Sequence, residues 1–399
     1  MSRSVMTRHL TGARAGTAAL VAALSMTLAA CNGSTGSDAA QDSGAVIAPE
    51  DDGFTVSAAL ADLPEDREWQ TVGVVDLSAA AEATGVELSD DDLVWRSALV
   101  AGLPLEDLAD TPREDLTYAP VLATSPQLLD RAVQSDFSGQ LPETLGWSPL
   151  AVTSYAHLTG GATGTTEFVV VDGPFPEDAL VGLTDLGDGV WTLGEGDDGH
   201  MLMEPEARAV DALGRPVRMA QHGQQIAFST VTATVRAWAD STGSSAADRP
   251  ELAEPAAVLD EAGAITAFFT LAHPYNPIGL TLGPGASPEE IEEFHKTWEA
   301  QLVSAPFSSI AIGHDAEGTA TIVYRFVAAE GAQEAAPQIE ALLAGDTFDG
   351  SRSLSEAVVV TSVEVQDNLV VVTGTQPEAT GWSVLHQMVM MGEPPFVLQ

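Results

Sequence analysis

Apolar spacing along this chain switches between a period of two and a period near 3.6, and the switches mark its elements. Residues 69–76 (WQTVGVVD) predict a strand, and residues 77–84 the start of a helix. Residues 90–108 mix acidic and apolar positions with helical spacing. Residues 112–149 are rich in Pro, Ser and Asp and predict only a short helix near 127–132. Phe168-Val169-Val170-Val171 is a strand run that Asp172-Gly173-Pro174 breaks, and Pro176-Glu177-Asp178 opens a predicted helix to residue 186. Short strands are expected at 190–193 and 200–203. A hairpin follows, 217–222 with 225–229, turning at Gly223, and then a helix over 231–239.

Beyond a Ser/Gly/Ala joint at 241–248, a Pro-punctuated helix runs to about residue 262, and residues 264–271 (AITAFFTL) predict a buried strand. Ser287-Pro288-Glu289-Glu290 is a capping box with Pro in the first turn. Ile291, Phe294, Trp298 and Leu302 then share one helical face. Strands at 308–312 and 319–326 flank the turn Asp315-Ala316-Glu317-Gly318. A helix over 332–344 stops at Gly345, a hairpin pairs 357–365 with 369–373, and a last helix covers 382–391.

Residues 168–239 and 319–391 therefore read in the same order: strand, helix, hairpin, helix. Phe168 and Thr321 lie 153 positions apart, Gln225 and Leu369 144, so an internal repeat requires an extra insertion near the acidic loop of the first copy. Hairpins mixed with helices predict an α+β fold, with antiparallel or mixed sheets covered by helices on one face. The two similar units divide the body into 53–245 and 246–399, each a domain or half.

The first 30 residues follow a different pattern. Arg3, Arg8 and Arg14 precede the uncharged run GTAALVAALSMTLAA at 16–30. A basic start, a short apolar core and small residues at its end make a secretory signal peptide, too short to span a membrane. The run ends in Leu28-Ala29-Ala30-Cys31, and Cys31 is the only cysteine of the 399 residues. This stretch resembles the lipobox of bacterial lipoproteins. The resemblance implies that the Cys31 thiol carries a diacylglyceryl group and that Cys31 is the first residue of the mature chain. Several acyl chains anchor stably where one binds marginally. A lone cysteine allows no internal disulfide. Residues 32–52 are small, polar and acidic, which predicts a flexible tether reaching about 25 Å.

Charge sharpens this picture. The chain has 58 acidic and 15 basic residues, net −43; losing three arginines with the signal peptide takes it to −46. Nucleic acid is excluded as a partner, since binding it needs clustered Lys and Arg. The expected partners are the membrane, through the lipid on Cys31, and a cationic or envelope protein.

Candidate chemistry is sparse. The single lysine, Lys296, follows His295 and fits neither a P-loop nor a Ser-x-x-Lys motif. No Gly-x-Ser-x-Gly or His-Glu-x-x-His occurs. Asp185, Asp188, Glu195, Asp197 and Asp198 on a Gly-rich loop have the oxygen donors Ca²⁺ prefers, without the spacing of a known loop. Two His/Met groups have donors suited to Cu(I): His200, Met201 and Met203, and His386 with Met390 at i, i+4. Met equally fills cores, and His386 sits among Trp382, Leu385 and Val389. Tyr275, between Pro274 and Pro277, is a candidate ligand-binding ring. No catalytic residue and no cofactor are assigned.

The sequence thus reads as a lipid-anchored, extracytoplasmic bacterial lipoprotein whose body is a non-catalytic binding or scaffold module. A solute-binding lipoprotein of a transporter is the first alternative, a secreted carboxylate-based hydrolase the second.

Overall fold

The computed structural model describes residues 53–65, 69–88, 126–132, 141–160, 166–201, 211, 213–271, 286–299, 301–347, 352–376 and 383–398. Residues 52–399 form one compact unit. Its strands are β1 (Trp69–Asp76), β2 (Ser154–Gly160), β3 (Thr166–Asp172), β4 (Thr184–Asp185), β5 (Trp191–Leu193), β6 (Val217–His222), β7 (Gln225–Ser229), β8 (Thr266–Thr270), β9 (Phe307–His314), β10 (Thr319–Phe326), β11 (Val359–Gln366) and β12 (Leu369–Thr375). All pair antiparallel in one sheet ordered β11-β12-β10-β9-β8-β1-β2-β3-β7-β6-β5-β4.

The helices are α1 (Val56–Ala61), α2 (Leu77–Thr84), α3 (Gln127–Ala132), α4 (Leu141–Leu145), α5 (Thr232–Ala239), α6 (Pro250–Glu261), α7 (Pro288–Glu299), α8 (Ala329–Leu343) and α9 (Ser383–Met391). The α+β class holds. Helices cover both faces of the sheet, however, rather than the one face expected. The reason lies in runs such as Phe168–Val171, where every position is apolar. Val169 and Val171 join a core with Leu77, Leu128, Leu141, Ile339 and Leu385. Phe168 and Val170 point the other way and join Leu60, Val235, Leu252 and Leu259. A strand with two apolar faces needs a cover on each.

Of the expected repeat, the strands correspond in their pairing, whereas the closing helices do not: Val235 of α5 joins one core and Leu385 of α9 the other. The order β1-β2-β3-β7-β6 in the first half matches β8-β9-β10-β12-β11 in the second. Phe168 pairs with Ser229; moved by 153 and 144 positions they become Thr321 and Thr373, which pair with each other. Met219 and Phe228, both moved by 144, become the pair Val363 and Val372. β1 pairs with β8 over five residues, so the halves meet as neighbouring strands. Gly73 and Phe268 form the middle pair of that ladder.

The repeat departs from expectation at residues 176–186. No helix forms there. Ala179, Val181 and Leu183 each bond back only three residues, to Pro176, Asp178 and Leu180, and the segment ends in β4. Tertiary packing wins over the helix-start signal: the Phe175 ring sits 5.1 Å from Trp147, and Leu180 is buried in the same core. The expected strand at 200–203 is also absent at His200 and Met201. Conversely, α4 and β2 form within or beside a stretch without clear periodicity. The helical pattern at 90–108 lies outside the described residues.

One local detail shows how a sequence oddity is compensated. Pro255 inside α6 has no N–H to give the Glu251 carbonyl. The buried Ser309 hydroxyl on β9 donates to that oxygen instead, at 2.7 Å. Ser309→Ala is expected to destabilise the fold by about 1–2 kcal/mol, the cost of one orphaned buried carbonyl. Chemical denaturation measures it; an unchanged midpoint would show that the carbonyl finds another donor.

Candidate functional site

Among the described residues, those singled out by sequence are not brought together. His200 and Met201 lie on an exposed loop, Met201 with 64% of its surface accessible. Met203, Tyr275 and Cys31 lie outside the described residues. His386, only 4% exposed, faces the sheet from α9, its ring edge-on to Phe268 at 4.4 Å. Met390 is half-buried against the same core. Among the described residues no group of three or more His, Cys, Asp or Glu is placed to hold a metal ion.

The acidic loop expected to attract Ca²⁺ is tied to the protein itself. Arg218 on β6 is 3% exposed. Its guanidinium donates to Thr192 Oγ1, to the Gly196 carbonyl at 2.7 Å, to Asp198 Oδ1 at 3.2 Å and to Thr232 Oγ1 at 2.9 Å. Asp198 also accepts from the Thr232 backbone N–H at 2.8 Å, so it fixes the first turn of α5. These partners hold the Asp198 carboxyl below its usual range, although burial opposes them. Asp185 accepts from the Gly187 N–H, and Asp188 faces Arg236 at 3.7 Å. Three of the five loop acids thus serve the loop's own conformation.

A second polar group is buried at the middle of the sheet. His157 on β2, His314 on β9 and His386 on α9 interact electrostatically in sequence: His314 with His386, and His386 with His157. His157 Nδ1 lies 3.5 Å from Glu167 on β3. Burial first, and a neighbouring imidazole second, push His314 down to about 3 and His386 to about 4.

A concave feature lies on the other face, where α1, α5 and the loop at 241–245 meet. It encloses about 230 Å³, and its walls include Asp62, His222, Gln225, Trp238, Ser241 and Ser245. The walls are fixed by backbone bonds: Glu65 N–H donates to the Ser244 carbonyl and Ala246 N–H to the Leu63 carbonyl, each at 2.8 Å. His222 stacks on Trp238, ring centres 4.3 Å apart and planes 19° from parallel. Its Nε2 donates to the Ala239 carbonyl at 2.8 Å, which settles the ring's orientation. Gln225 Nε2 donates to Asp62 Oδ2 at 2.8 Å.

Behind Gln225 stands a second carboxylate, Asp172, at the end of β3. Burial and the charge of Asp62 raise it to about 6, against hydrogen bonds from Gln225 and Ser154. Burial raises Asp62 as well. Two acids and an aromatic pair thus converge from sequence positions far apart. Nothing in the local pattern around Asp62, Asp172, Gln225 or Trp238 signals the meeting, because it depends on the β3–β7 register.

No protein-family model matches the chain, and no curated protein matches it. Among solved structures, crystal form I of TP0453 is similar at 8% identity, with a TM-score of 0.34, over 83% of this chain and 96% of that one.

Proposed function

We propose that this chain is a lipid-anchored lipoprotein on the extracytoplasmic face of the cell membrane, and that its body is a non-catalytic binding or scaffold module. The observation that carries the reading is Leu28-Ala29-Ala30-Cys31 at the end of an uncharged apolar run. Among the described residues no helix is long and apolar enough to cross a membrane. The net charge of −46 without residues 1–30 keeps the body away from anionic headgroups, so lipid and tether do the holding.

For the body, the continuous sheet supports a rigid platform over a hinged receptor. A solute-binding protein closes two lobes around a cleft, whereas here the β1–β8 ladder carries the sheet through the junction of the halves. A carboxylate-based hydrolase asks for two acids facing each other in a pocket. Asp62 lines the groove, while Asp172 stands behind it and accepts from Gln225 and Ser154. That arrangement favours binding over acid–base chemistry.

Cys31→Ser is the direct test of the anchor. The wild-type chain is expected to enter the detergent phase on phase separation and to incorporate a labelled fatty acid. The variant is expected to stay aqueous and unlabelled. A variant that still partitions with detergent would end the lipid assignment.

A further inference from the structure

We propose that the groove between α1, α5 and the loop at 241–245 binds a primary alkylammonium group, with the Asp62 carboxylate as counter-charge and the His222–Trp238 ring pair as its apolar wall. The inference rests on reading the body as a binding module and is independent of the anchor.

The internal repeat supplies the comparison that points to a cation. Asp172 pairs with Gln225 in the first half; moved by the repeat offsets these become Arg325 and Leu369, which pair in the second. There, Arg325 Nε donates to Glu254 Oε2 at 2.7 Å and its second amino group to Glu254 Oε1 at 3.2 Å. Asn368 Nδ2 adds a bond to Glu254 Oε2 at 3.0 Å. That half therefore carries its own cation against a carboxylate, with an amide beside it. The first half has a carboxylate, Asp62, bonded by an amide, Gln225, which stands at the position of Leu369 rather than of Asn368, and a second carboxylate where the guanidinium would be. Among the described residues neither acid forms an ion pair with Arg or Lys, and the Asp62 side borders an open groove.

The chemistry of the walls narrows the cation. A hard metal ion asks for several oxygen ligands. This groove offers one lining carboxylate and two stacked rings, the combination that suits an ammonium head on an alkyl stem. The C-terminal end of α5 adds negative potential from its carbonyls. The hydroxyls of Ser241 and Ser245 can accept from the remaining ammonium protons. A volume of about 230 Å³ admits a single small amine or one lysine side chain.

The test uses the full chain in zwitterionic detergent at physiological salt, titrated by calorimetry with cadaverine and, separately, with the peptide Gly-Gly-Lys-Gly-Gly. One saturable site is expected. Asp62→Asn should weaken it about tenfold, the loss of one partly desolvated charge contact. Trp238→Leu should weaken it by about fivefold through the lost ring face. Glu317→Gln, an exposed acid in the other half, should change nothing. Cadaverine binding alone identifies free amines as the ligand; binding of both extends it to lysine side chains of a protein partner. Absence of a saturable site for either probe, or equal affinity in Asp62→Asn, overturns the proposal and attributes any residual uptake to the acidic surface. The Cys31→Ser chain should bind identically, so a failed anchor and a failed groove are read separately.

Discussion

Lowering the pH from 7 to 5 is expected to cost the fold about 3 kcal/mol of stability, with His314 and His386 as the cause. An unfolded imidazole takes its proton near 6.5. In the folded protein these two stay neutral down to about 3 and about 4, because the protonated form would sit in the core beside another histidine. Below 6.5 the unfolded chain therefore binds protons that the folded one refuses, and stability falls as the pH falls. Each group contributes about 2 kcal/mol over this interval, so together about 4 kcal/mol.

Asp172 acts in the opposite direction. Its folded value of about 6 exceeds the ordinary 3.8. The stability it contributes is present at low pH and is lost as the pH rises through 6, so acidification to pH 5 returns about 1 kcal/mol. The histidines win because there are two of them and they are more deeply buried. Denaturant titrations at a series of pH values measure the slope. The double variant His314→Gln, His386→Gln should flatten or reverse it, leaving the Asp172 contribution exposed. An unchanged slope in that variant would remove both histidines from the explanation.

Arg218→Ala is expected to destabilise the protein by about 3 kcal/mol. A buried guanidinium with four acceptors costs more to remove than its own bonds are worth, since each acceptor left behind is stranded. Thr192 and the Gly196 carbonyl lose their donor inside the loop, and Asp198 keeps its place at the start of α5 without its counter-charge. Asp198 is partly exposed, so water softens its share. Arg218→Lys should recover less than half of the loss. A single ammonium cannot reach Thr192, Gly196, Asp198 and Thr232 in the planar fork that Arg218 uses. The measurement is the denaturation midpoint of the three chains. A loss below about 1 kcal/mol for the alanine variant would mean that the loop is held by other contacts.

Much of the element map was legible in the chain. β1 ends where the pattern ends, at Asp76, whose side chain caps α2 by accepting from Ala79 N–H. The hairpin β6–β7 turns at Gly223, where a left-handed φ of +58° suits glycine. α7 begins at its capping box, Glu290 N–H donating to Ser287 Oγ and Ser287 N–H to Glu290. These are local devices, each completed within a few residues, so sequence suffices. β2 escaped because its central position hides polar residues such as His157 inside the core, where alternation no longer tracks burial. The segment at 176–186 misled because its Pro and acid residues signal a helix start while Trp147 and the sheet dictate turns.

The sequence by itself determined the uncharged apolar run ending at Cys31, the acidity, most of the elements and the offsets of 153 and 144 between the halves. Only the tertiary structure decided that those halves share one sheet through β1 and β8, that helices lie on both sides, and that Asp62 and Asp172 meet at Gln225. Capping, turns and amphipathic spacing act over a few residues and leave a trace in the chain. Strand register acts between positions remote in the chain, such as Asp172 with Gln225 or Thr71 with Thr270, and the charge placed at each end of a pair is free of any local rule. The equivalent positions Asp172 and Arg325 obey the same register yet carry opposite charges.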